Sequence, residues 1–383
     1  MCVRRHAHSH LTATIGLATV ALLNVRCSSP TRPSKTIVIP PPAVACPVAP
    51  LPVTTTDGQS ALVTYESATV TGGTAPVSVT CTPPSGSTFD IGLTAITCTA
   101  TDAVHRTASC SFTVTVTVPP PQLGIAKILA FGDSITEGEV PVLGEFSIRP
   151  KLVEPDKSYP ADITTLLAQR YTGQGASRVD AFTFIPGGDS NDCTPDPPAP
   201  TTPGIVVINA GCLGAQAKDP QTLKRLNDKI RTYQPDVMLL LIGVNDLDPR
   251  NPDASISAAL QGVQALTASA RANRVQVMVG TLLPEIAGGV NGQASSLIVP
   301  FNNKLWGVAT SAGATVVDLY SVIATDVTDW IAYDGLHPTE AGYQEMARVW
   351  FNSIQRAFDL PSSSTAITKS RVPKTIVRSG SKR

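Results

Sequence analysis

A serine, an aspartate and a histidine lie in turn-forming segments that border apolar stretches. Ser134 stands in FGDSITEG, directly after the apolar run KILAF. His337 stands in YDGLHP, and Asp334 precedes it by three residues. A serine hydroxyl is a poor nucleophile until a neighbouring base, usually a histidine oriented by a carboxylate, takes its proton. These residues are therefore candidates for nucleophile, orienting carboxylate and general base.

The distribution of histidines leaves one candidate for that base. The chain has five histidines, and His6, His8 and His10 lie in its first ten residues. His105 lies in a Thr- and Val-rich stretch, so His337 is the only imidazole in the C-terminal two thirds of the sequence. The glycine-containing turn before it lets the aspartate reach Nδ1 while Nε2 faces the serine.

Acyl transfer also needs N–H groups aimed at the developing oxyanion, and each contributes roughly 3 to 4 kcal/mol in the transition state. Two segments offer such donors after apolar runs. GIVVINA leads into NAGCLG, which contains Gly214, and VMLLLIG leads into GVND, which contains Asn245. A glycine permits close approach of the backbone, and an asparagine amide can donate.

The elements that must position these groups alternate in type from about residue 124 to 360. Five apolar runs have the length and composition of strands buried on both faces: KILAF, GIVVINA, VMLLLIG, VQVMVGT and ATVVD. The segments between them repeat apolar residues at spacings of three and four, as helices do. This alternation predicts a parallel sheet covered on both faces, with ligands at the carboxyl ends of its strands.

FGDSITEG, NAGCLG, GVND and DGLHP match the four sequence blocks of the SGNH (GDSL-like) hydrolase superfamily in order, so residues 125 to 358 resemble that superfamily. The resemblance implies a three-layer α/β/α, flavodoxin-like fold, and ester hydrolysis without a metal or cofactor. It makes Ser134 the nucleophile and an oxyanion donor, Gly214 and Asn245 further donors, His337 the base and Asp334 its orienting carboxylate. The isoleucine in place of the leucine of the GDSL tag leaves this chemistry intact.

Residues 43–118 have short alternating strands such as SFTVTVTV, separated by turn segments, which predict an antiparallel sandwich. The stretch from CTPPSGSTFD to SFTVTV resembles the HYR (hyalin repeat) module, an all-β immunoglobulin-like domain. The resemblance implies adhesion or spacing, with cell-surface or matrix components as partners. We expect residues 119–123 to link this module to a hydrolase domain at 124–360.

Of the eight cysteines, Cys2 and Cys27 belong to the N-terminal leader, and the other six fall into even sets, as expected for disulfides formed outside the cytosol. One set comprises Cys46, Cys81, Cys98 and Cys110, and the other comprises Cys193 and Cys212. Four cysteines allow three connectivities, so only pairing within each set is predicted. A zinc site is the alternative for the first set, and buried reduced thiols are the alternative for the second.

The N-terminus predicts export. A basic stretch precedes fifteen mostly apolar residues, LTATIGLATVALLNV, the length of a signal-peptide core. Cys27 and the Ser- and Pro-rich tether at 28–42 make residues 1–27 resemble a bacterial lipoprotein leader, with Cys27 as the candidate for lipidation and membrane anchoring. Arg26 departs from that pattern, and an uncleaved apolar anchor is the alternative. Either way we expect an extracellular or cell-envelope protein.

Charge and loops bear on the substrate. Lys plus Arg equals Asp plus Glu, 29 each, which argues against a nucleic-acid partner. Long loops at 139–157 and 186–203 are expected to set specificity, and a disulfide in the second would fix it beside Gly214. The tail at 361–383 is basic and lacks periodicity, which indicates disorder.

These features predict an exported serine esterase, and a carbohydrate O-acetyl esterase suits a surface protein best. A lipolytic esterase or lysophospholipase is the alternative within the same chemistry. A thioesterase or peptidase would use the same three residues. A non-catalytic adhesin-like lipoprotein is the alternative from another class, and labelling by a fluorophosphonate would separate it from an enzyme.

Overall fold

The structure is a computed structural model that describes residues 38–55, 58–141, 151–182, 193, 196–198, 203–289 and 292–360. The predicted leader with Cys27, the basic tail and most of the 186–203 loop lie outside the described residues. Within the described part of the chain, no helix is long and apolar enough to cross a membrane.

The N-terminal region is built of short strands. In the described part of residues 43–118 they are β1 (Ala43–Ala45), β2 (Val53–Thr54), β3 (Ser60–Val63), β4 (Thr69–Thr71), β5 (Ser78–Thr82), β6 (Ser87–Asp90), β7 (Gly92–Thr101) and β8 (Thr107–Thr117). β1 pairs with β4, β3 with β6 and β5 with β7, all antiparallel, and β2 pairs with β8 in parallel. Alternate side chains along β7, such as Ile96, Cys98 and Ala100, are fully buried. The expected strand-rich, immunoglobulin-like region is present.

This region is shared between two compact units. One unit comprises Met1–Cys46, Ala68–Thr82 and Thr97–Cys110, and the other comprises Pro47–Ser67, Pro83–Ile96 and Ser111–Arg383. The first unit contains the disulfides Cys46–Cys110 and Cys81–Cys98. Both lie within the predicted set of four, and they leave none of its thiols for zinc. His105 is exposed on a turn, as a surface residue would be.

The C-terminal region contains further strands. Those described are β9 (Gln122–Leu123), β10 (Lys127–Gly132), β11 (Glu139–Pro141), β12 (Lys151–Val153), β13 (Ala176–Asp180), β14 (Ile205–Ala210), β15 (Val237–Leu241), β16 (Gln276–Gly280), β17 (Thr315–Val317) and β18 (Asp359–Leu360). Six of these form one sheet in the order β13-β14-β10-β15-β16-β17. Every adjacent pair in it is parallel, as the apolar runs predict.

Helices cover both faces of this sheet. The described ones are α1 (Ser134–Glu137), α2 (Tyr159–Arg170), α3 (Pro220–Tyr233), α4 (Pro252–Ala272), α5 (Ser295–Ser311), α6 (Tyr320–Ile323), α7 (Val327–Trp330) and α8 (Glu340–Phe358). After β10, the chain passes through α2 to β13 at one edge of the sheet and then to its neighbour β14. From β14, it passes through α3, α4 and α5 in turn to β15, β16 and β17, toward the other edge. Because such crossovers are right-handed, α2 lies on one face and α3 to α5 on the other. α8 packs against α2, which completes three α/β/α layers.

This topology fixes where a ligand can bind. β10 lies inside the sheet between β14 and β15. The strands that follow it in the chain are added first on the β14 side and then on the β15 side, so the strand order reverses at β10. Ile128 pairs with Val207 on one side and with Val237 on the other. The crevice beyond the carboxyl ends of such neighbouring strands is the binding position of open α/β sheets. Ser134, Gly214 and Asn245 follow these three strands.

Several strands of this region were not predicted. β13 (ASRVD) is an edge strand whose residues are all half-buried, so it lacks an apolar run. The predicted 139–157 loop contains the antiparallel pair β11 and β12. The predicted linker ends in β9, which pairs with β18.

Candidate active site

The candidate nucleophile begins a short helix at the end of β10. Asp133 caps this helix by accepting a hydrogen bond from the backbone nitrogen of Ile135 (3.1 Å), and Ser134 is its first residue. Gly138 ends the helix with φ 108°, a left-handed conformation that favours glycine. Gly132 lies against Thr136 and the carbonyl of Leu241, which leaves no space for a side chain. The turn therefore holds Ser134 at the strand's end.

The candidate base and its carboxylate share one turn before α8. Asp334 Oδ1 accepts hydrogen bonds from the backbone nitrogens of Leu336 and His337, both at 3.1 Å. Its Oδ2 lies 2.6 Å from His337 Nδ1. The carboxylate is thus fixed by the backbone that also carries the imidazole, which is what the Asp-x-x-His spacing predicts.

The structure brings the three side chains together across the fold. His337 Nε2 lies 2.9 Å from Ser134 Oγ, a contact between residues 203 positions apart. Relative exposure is 3% for Ser134, 0% for His337 and 5% for Asp334. A hydroxyl that contacts an imidazole, which in turn contacts a carboxylate, is the arrangement that activates a serine.

The candidate oxyanion donors lie next to this arrangement. Residues 212–215, which we call the oxyanion turn, contain Gly214 with φ 68°. The backbone nitrogen of Cys212 donates to the carbonyl of Asp133 (3.3 Å), which attaches the turn to the nucleophile's segment. Asn245 Nδ2 donates to the carbonyl of Ala215 (3.2 Å), which attaches it to the segment after β15. Gly214 therefore lies between the two segments that carry Ser134 and Asn245.

Two residues that the sequence did not single out hold the strand ends in place. Arg225, from α3, donates to the carbonyls of Ala210 (2.7 Å) and Gly132 (3.0 Å), the last residues of β14 and β10. Its guanidinium also lies 4.1 Å from the centroid of the Phe131 ring, a cation–π contact. Gly211 lies so close to the backbone of α1 that a β-carbon there would overlap it. Such long-range contacts leave no signal in a linear motif.

The site is rich in buried carboxyl groups. Burial raises the pKa of Asp133 to about 7, although the hydrogen bond from Ile135 and the charge of His337 oppose the rise. Burial also raises the pKa of Asp246, which accepts hydrogen bonds from the backbone nitrogens of Ala217 (2.7 Å) and Lys218 (3.0 Å). Asp246 thereby ties the segment after β15 to the segment before α3.

A further carboxylate contacts the candidate base directly. Glu139 is fully buried, and its Oε2 lies 3.1 Å from His337 Nε2. Burial lowers the pKa of His337, but its hydrogen bonds to Asp334 and Glu139 outweigh that effect and raise the pKa to about 9. The sequence signal for this residue is the acidic run in SITEGEV, whose charges would ordinarily be assigned to the surface.

A polar cleft of about 650 Å³ adjoins Asn245. Its charged and amide side chains come from three segments: Gln216, Lys218, Asp246, Asp248, Arg250 and Gln293. Leu247 and Pro249 complete the lining, and among the described lining residues none is aromatic. The lining of this cleft is therefore mostly polar.

The predicted disulfide beside this region is present. Cys193 pairs with Cys212, the first residue of the oxyanion turn. The bridge anchors one point of the 186–203 loop next to Gly214. Within the residues that the structure describes, no group of three or more His, Cys, Asp or Glu side chains could hold a metal ion.

Two family models match parts of this chain. Residues 199–345 match the GDSL-like Lipase/Acylhydrolase family, and residues 39–116 match the HYR domain. The first match includes Gly214, Asn245 and His337 but begins after Ser134. The chain is 26% identical over 240 residues to a multidomain esterase from Ruminococcus flavefaciens, covering 61% of this chain and 29% of the relative. It thus spans less than a third of that relative's length.

Solved structures with similar folds have low identity to this chain. A lipase/acylhydrolase from Enterococcus faecalis is 20% identical with a TM-score of 0.43, over 61% of this chain and 97% of the other. An acetylxylan esterase from Geobacillus stearothermophilus is 18% identical with a TM-score of 0.40, over 63% of this chain and 100% of the other.

The three-layer α/β/α domain has a serine, a histidine and an aspartate in contact beyond its central strand, and residues 199–345 of it match the GDSL-like lipase/acylhydrolase family. The chain carries a GDSL-like lipase/acylhydrolase domain, and an HYR domain precedes it.

Proposed function

We propose that this protein is an exported serine esterase that removes short acyl groups, acetyl above all, from carbohydrate. The contact between Ser134 and His337, with Asp334 behind the imidazole, is the observation that carries the hydrolytic part of the proposal. Ser134 Oγ attacks the ester carbonyl while His337 Nε2 takes its proton. The imidazolium then protonates the departing alcohol, and water repeats the cycle on the acyl-enzyme.

Three donors would stabilise the tetrahedral intermediate: the backbone N–H of Ser134, that of Gly214 and the side-chain amide of Asn245. Asn245 donates one N–H to Ala215, and because an amide nitrogen carries two hydrogens, the second can reach the oxyanion. The first bond fixes the amide before substrate arrives. Such preorganised donors give the largest electrostatic contribution to acyl transfer.

The cleft beside Asn245 supports carbohydrate over lipid as the alcohol. The charged groups of Lys218, Asp248 and Arg250 can form hydrogen bonds with sugar hydroxyls. A fatty chain in the cleft would remove water from these groups and offer no hydrogen bonds in return. The multidomain esterase that shares similarity with the chain supports ester hydrolysis but leaves the substrate open.

Export is supported by the disulfides. The bridges Cys46–Cys110, Cys81–Cys98 and Cys193–Cys212 are stable in an oxidising compartment. An HYR module suits attachment to cell-surface or matrix components, which would keep the esterase near a polymeric substrate. Lipid anchoring through Cys27 stays a prediction from the leader sequence.

The test is hydrolysis of p-nitrophenyl acetate, butyrate and octanoate, and acetate release from an O-acetylated oligosaccharide, by the full chain. Ser134→Ala and His337→Ala serve as the inactive comparison. Turnover of acetate esters that both substitutions abolish is expected. Preference for octanoate would replace the carbohydrate by a lipid, and a folded chain that neither hydrolyses esters nor reacts with a fluorophosphonate would be a binding protein.

A further inference from the structure

The His337 imidazole contacts two side chains at one nitrogen atom. Nε2 lies 2.9 Å from Ser134 Oγ and 3.1 Å from Glu139 Oε2. Glu139 is held there by its backbone, because its carbonyl accepts a hydrogen bond from the Tyr343 hydroxyl (2.8 Å) and β11 pairs with β12. The carboxylate is 0% exposed. The contact is therefore a built feature of the fold.

A proton between Nε2 and Glu139 makes this contact attractive. Nδ1 of His337 lies 2.6 Å from Asp334 Oδ2, so the proton on that nitrogen points at the aspartate. In a neutral ring Nε2 would then carry only a lone pair, which a carboxylate oxygen at 3.1 Å would repel. The contact becomes attractive when His337 is an imidazolium or when Glu139 is a neutral acid. In both states the lone pair that must accept the proton of Ser134 is occupied.

The other titratable groups around the ring favour the imidazolium. Asp334 contacts the ring from its own turn and Glu139 from β11, and the charge of Asp133 acts on it from the cap of α1. Tyr343, from α8, donates its hydroxyl to the carbonyl of Glu139. Burial lowers the pKa of His337, and the two contacting carboxylates raise it to about 9. Tyr343 is neutral, because burial and the nearby carboxylates raise its pKa well above 10.

We propose that Glu139 is a positioning residue that holds His337 as an imidazolium in the resting enzyme, so that Ser134 is activated only after this proton has passed to solvent. The inference rests on the proposed esterase function of Ser134 and His337. The reaction it adds is a single proton transfer: the imidazolium gives its Nε2 proton to water, and the neutral base then accepts the proton of Ser134. When the base becomes charged again during attack, Glu139 stabilises it.

Replacing Glu139 by glutamine therefore has two opposite effects. Without the charge, the base loses its proton at lower pH, and the acid limb of kcat/KM moves down by about one pH unit or more. The alkaline plateau falls several-fold, because the imidazolium formed during attack loses one stabilising carboxylate. A merely structural role would lower activity equally at every pH.

The experiment compares wild type, Glu139→Gln and Glu340→Gln in the full chain. Glu340 lies in the first turn of α8 with a side chain 57% exposed, so its loss of charge should leave the profile unchanged. kcat/KM for p-nitrophenyl acetate is measured from pH 5 to 10. The acid limb should move only in Glu139→Gln; a limb that stays in place overturns the proposal.

A second readout needs no turnover, and its wild-type measurement needs no variant. The ring nitrogens of His337 are titrated by NMR in the wild-type chain and in Ser134→Ala, with and without Glu139→Gln. A charged ring at pH 7 in both parent proteins, with a lower pKa in the Glu139→Gln proteins, supports the inference. A neutral ring at pH 7 in the wild type overturns it. Lack of ester hydrolysis beside a charged ring would instead refute the proposed function alone.

Discussion

Replacing Asp334 by asparagine should remove the group that orients the His337 ring and leave the turn folded. Asp334 Oδ1 accepts two backbone hydrogen bonds, from Leu336 and His337, and an amide oxygen can retain both. The amide nitrogen would then take the place of Oδ2, which lies 2.6 Å from His337 Nδ1. Two donors cannot share this contact, so the imidazole would carry its proton on Nε2 and lose its function as base.

The magnitude follows from the contacts that remain. Losing the orienting carboxylate of a serine triad costs about 10⁴-fold in rate, or roughly 5.5 kcal/mol. In this site Glu139 still faces Nε2 and can stabilise the charged ring in part. We therefore expect kcat/KM for p-nitrophenyl acetate to fall by about 10³-fold. Exchanging a charged for a neutral hydrogen-bond acceptor should lower the free energy of unfolding by about 1 to 2 kcal/mol.

The assay is steady-state hydrolysis at a series of pH values, with urea unfolding measured in parallel. Asp329→Asn is the matched control, because Asp329 is an exposed aspartate five residues earlier in the same segment. It should retain wild-type kcat/KM. If Asp334→Asn remains within tenfold of wild type while folded, Asp334 does not orient the base and the proposed mechanism is wrong.

Three further substitutions test the supports of the site. Gly211→Ala should lower both activity and stability because its β-carbon would overlap the backbone of α1, whereas Gly307→Ala, in open space on α5, should leave activity unchanged; equal effects would contradict the packing argument. Replacing Cys193 and Cys212 by serine should lower the free energy of unfolding by about 3 kcal/mol and reduce kcat/KM through the oxyanion turn; unchanged kinetics would show that the bridge does not position it. Asp133→Asn keeps the cap acceptor but removes a carboxyl whose pKa burial raises to about 7. Since the native state binds more protons than the unfolded state between about pH 4 and 7, wild-type unfolding free energy should fall as pH rises, and the variant should show a shallower fall by urea titration.

The sequence predicted the central strands well because their physics is local. KILAF, GIVVINA and VMLLLIG became β10, β14 and β15, whose residues are buried on both faces almost without exception. The turn before α8 is also partly local, because Asp334 accepts hydrogen bonds from the backbone nitrogens of Leu336 and His337, two and three residues further along the chain. β13 was missed because an edge strand need not be apolar, and Arg178 and Asp180 pair with each other on it.

The residues that the sequence did not reveal have partners distant in the chain. Arg225 joins the ends of β10 and β14 from α3, and its contact with Gly132 spans 93 residues. Nothing near Arg225 in an amphipathic helix distinguishes it from a surface arginine. Its guanidinium bridges the carbonyls at the carboxyl ends of two strands, which come together only in the folded sheet.

The acidic residues after β10 show why such failures concentrate at the site. Composition assigns charged residues to the surface, yet Asp133, Glu137 and Glu139 are each at most 1% exposed. Burying carboxyl groups opposes folding unless the surroundings hold them, and here the short helix, Arg225 and His337 supply that environment. A sequence optimised for stability alone would not place three acids in seven residues beneath a nucleophile. For Asp133 and Glu139, which interact with His337, burial is therefore better explained by control of the protons at that ring than by the requirements of the fold.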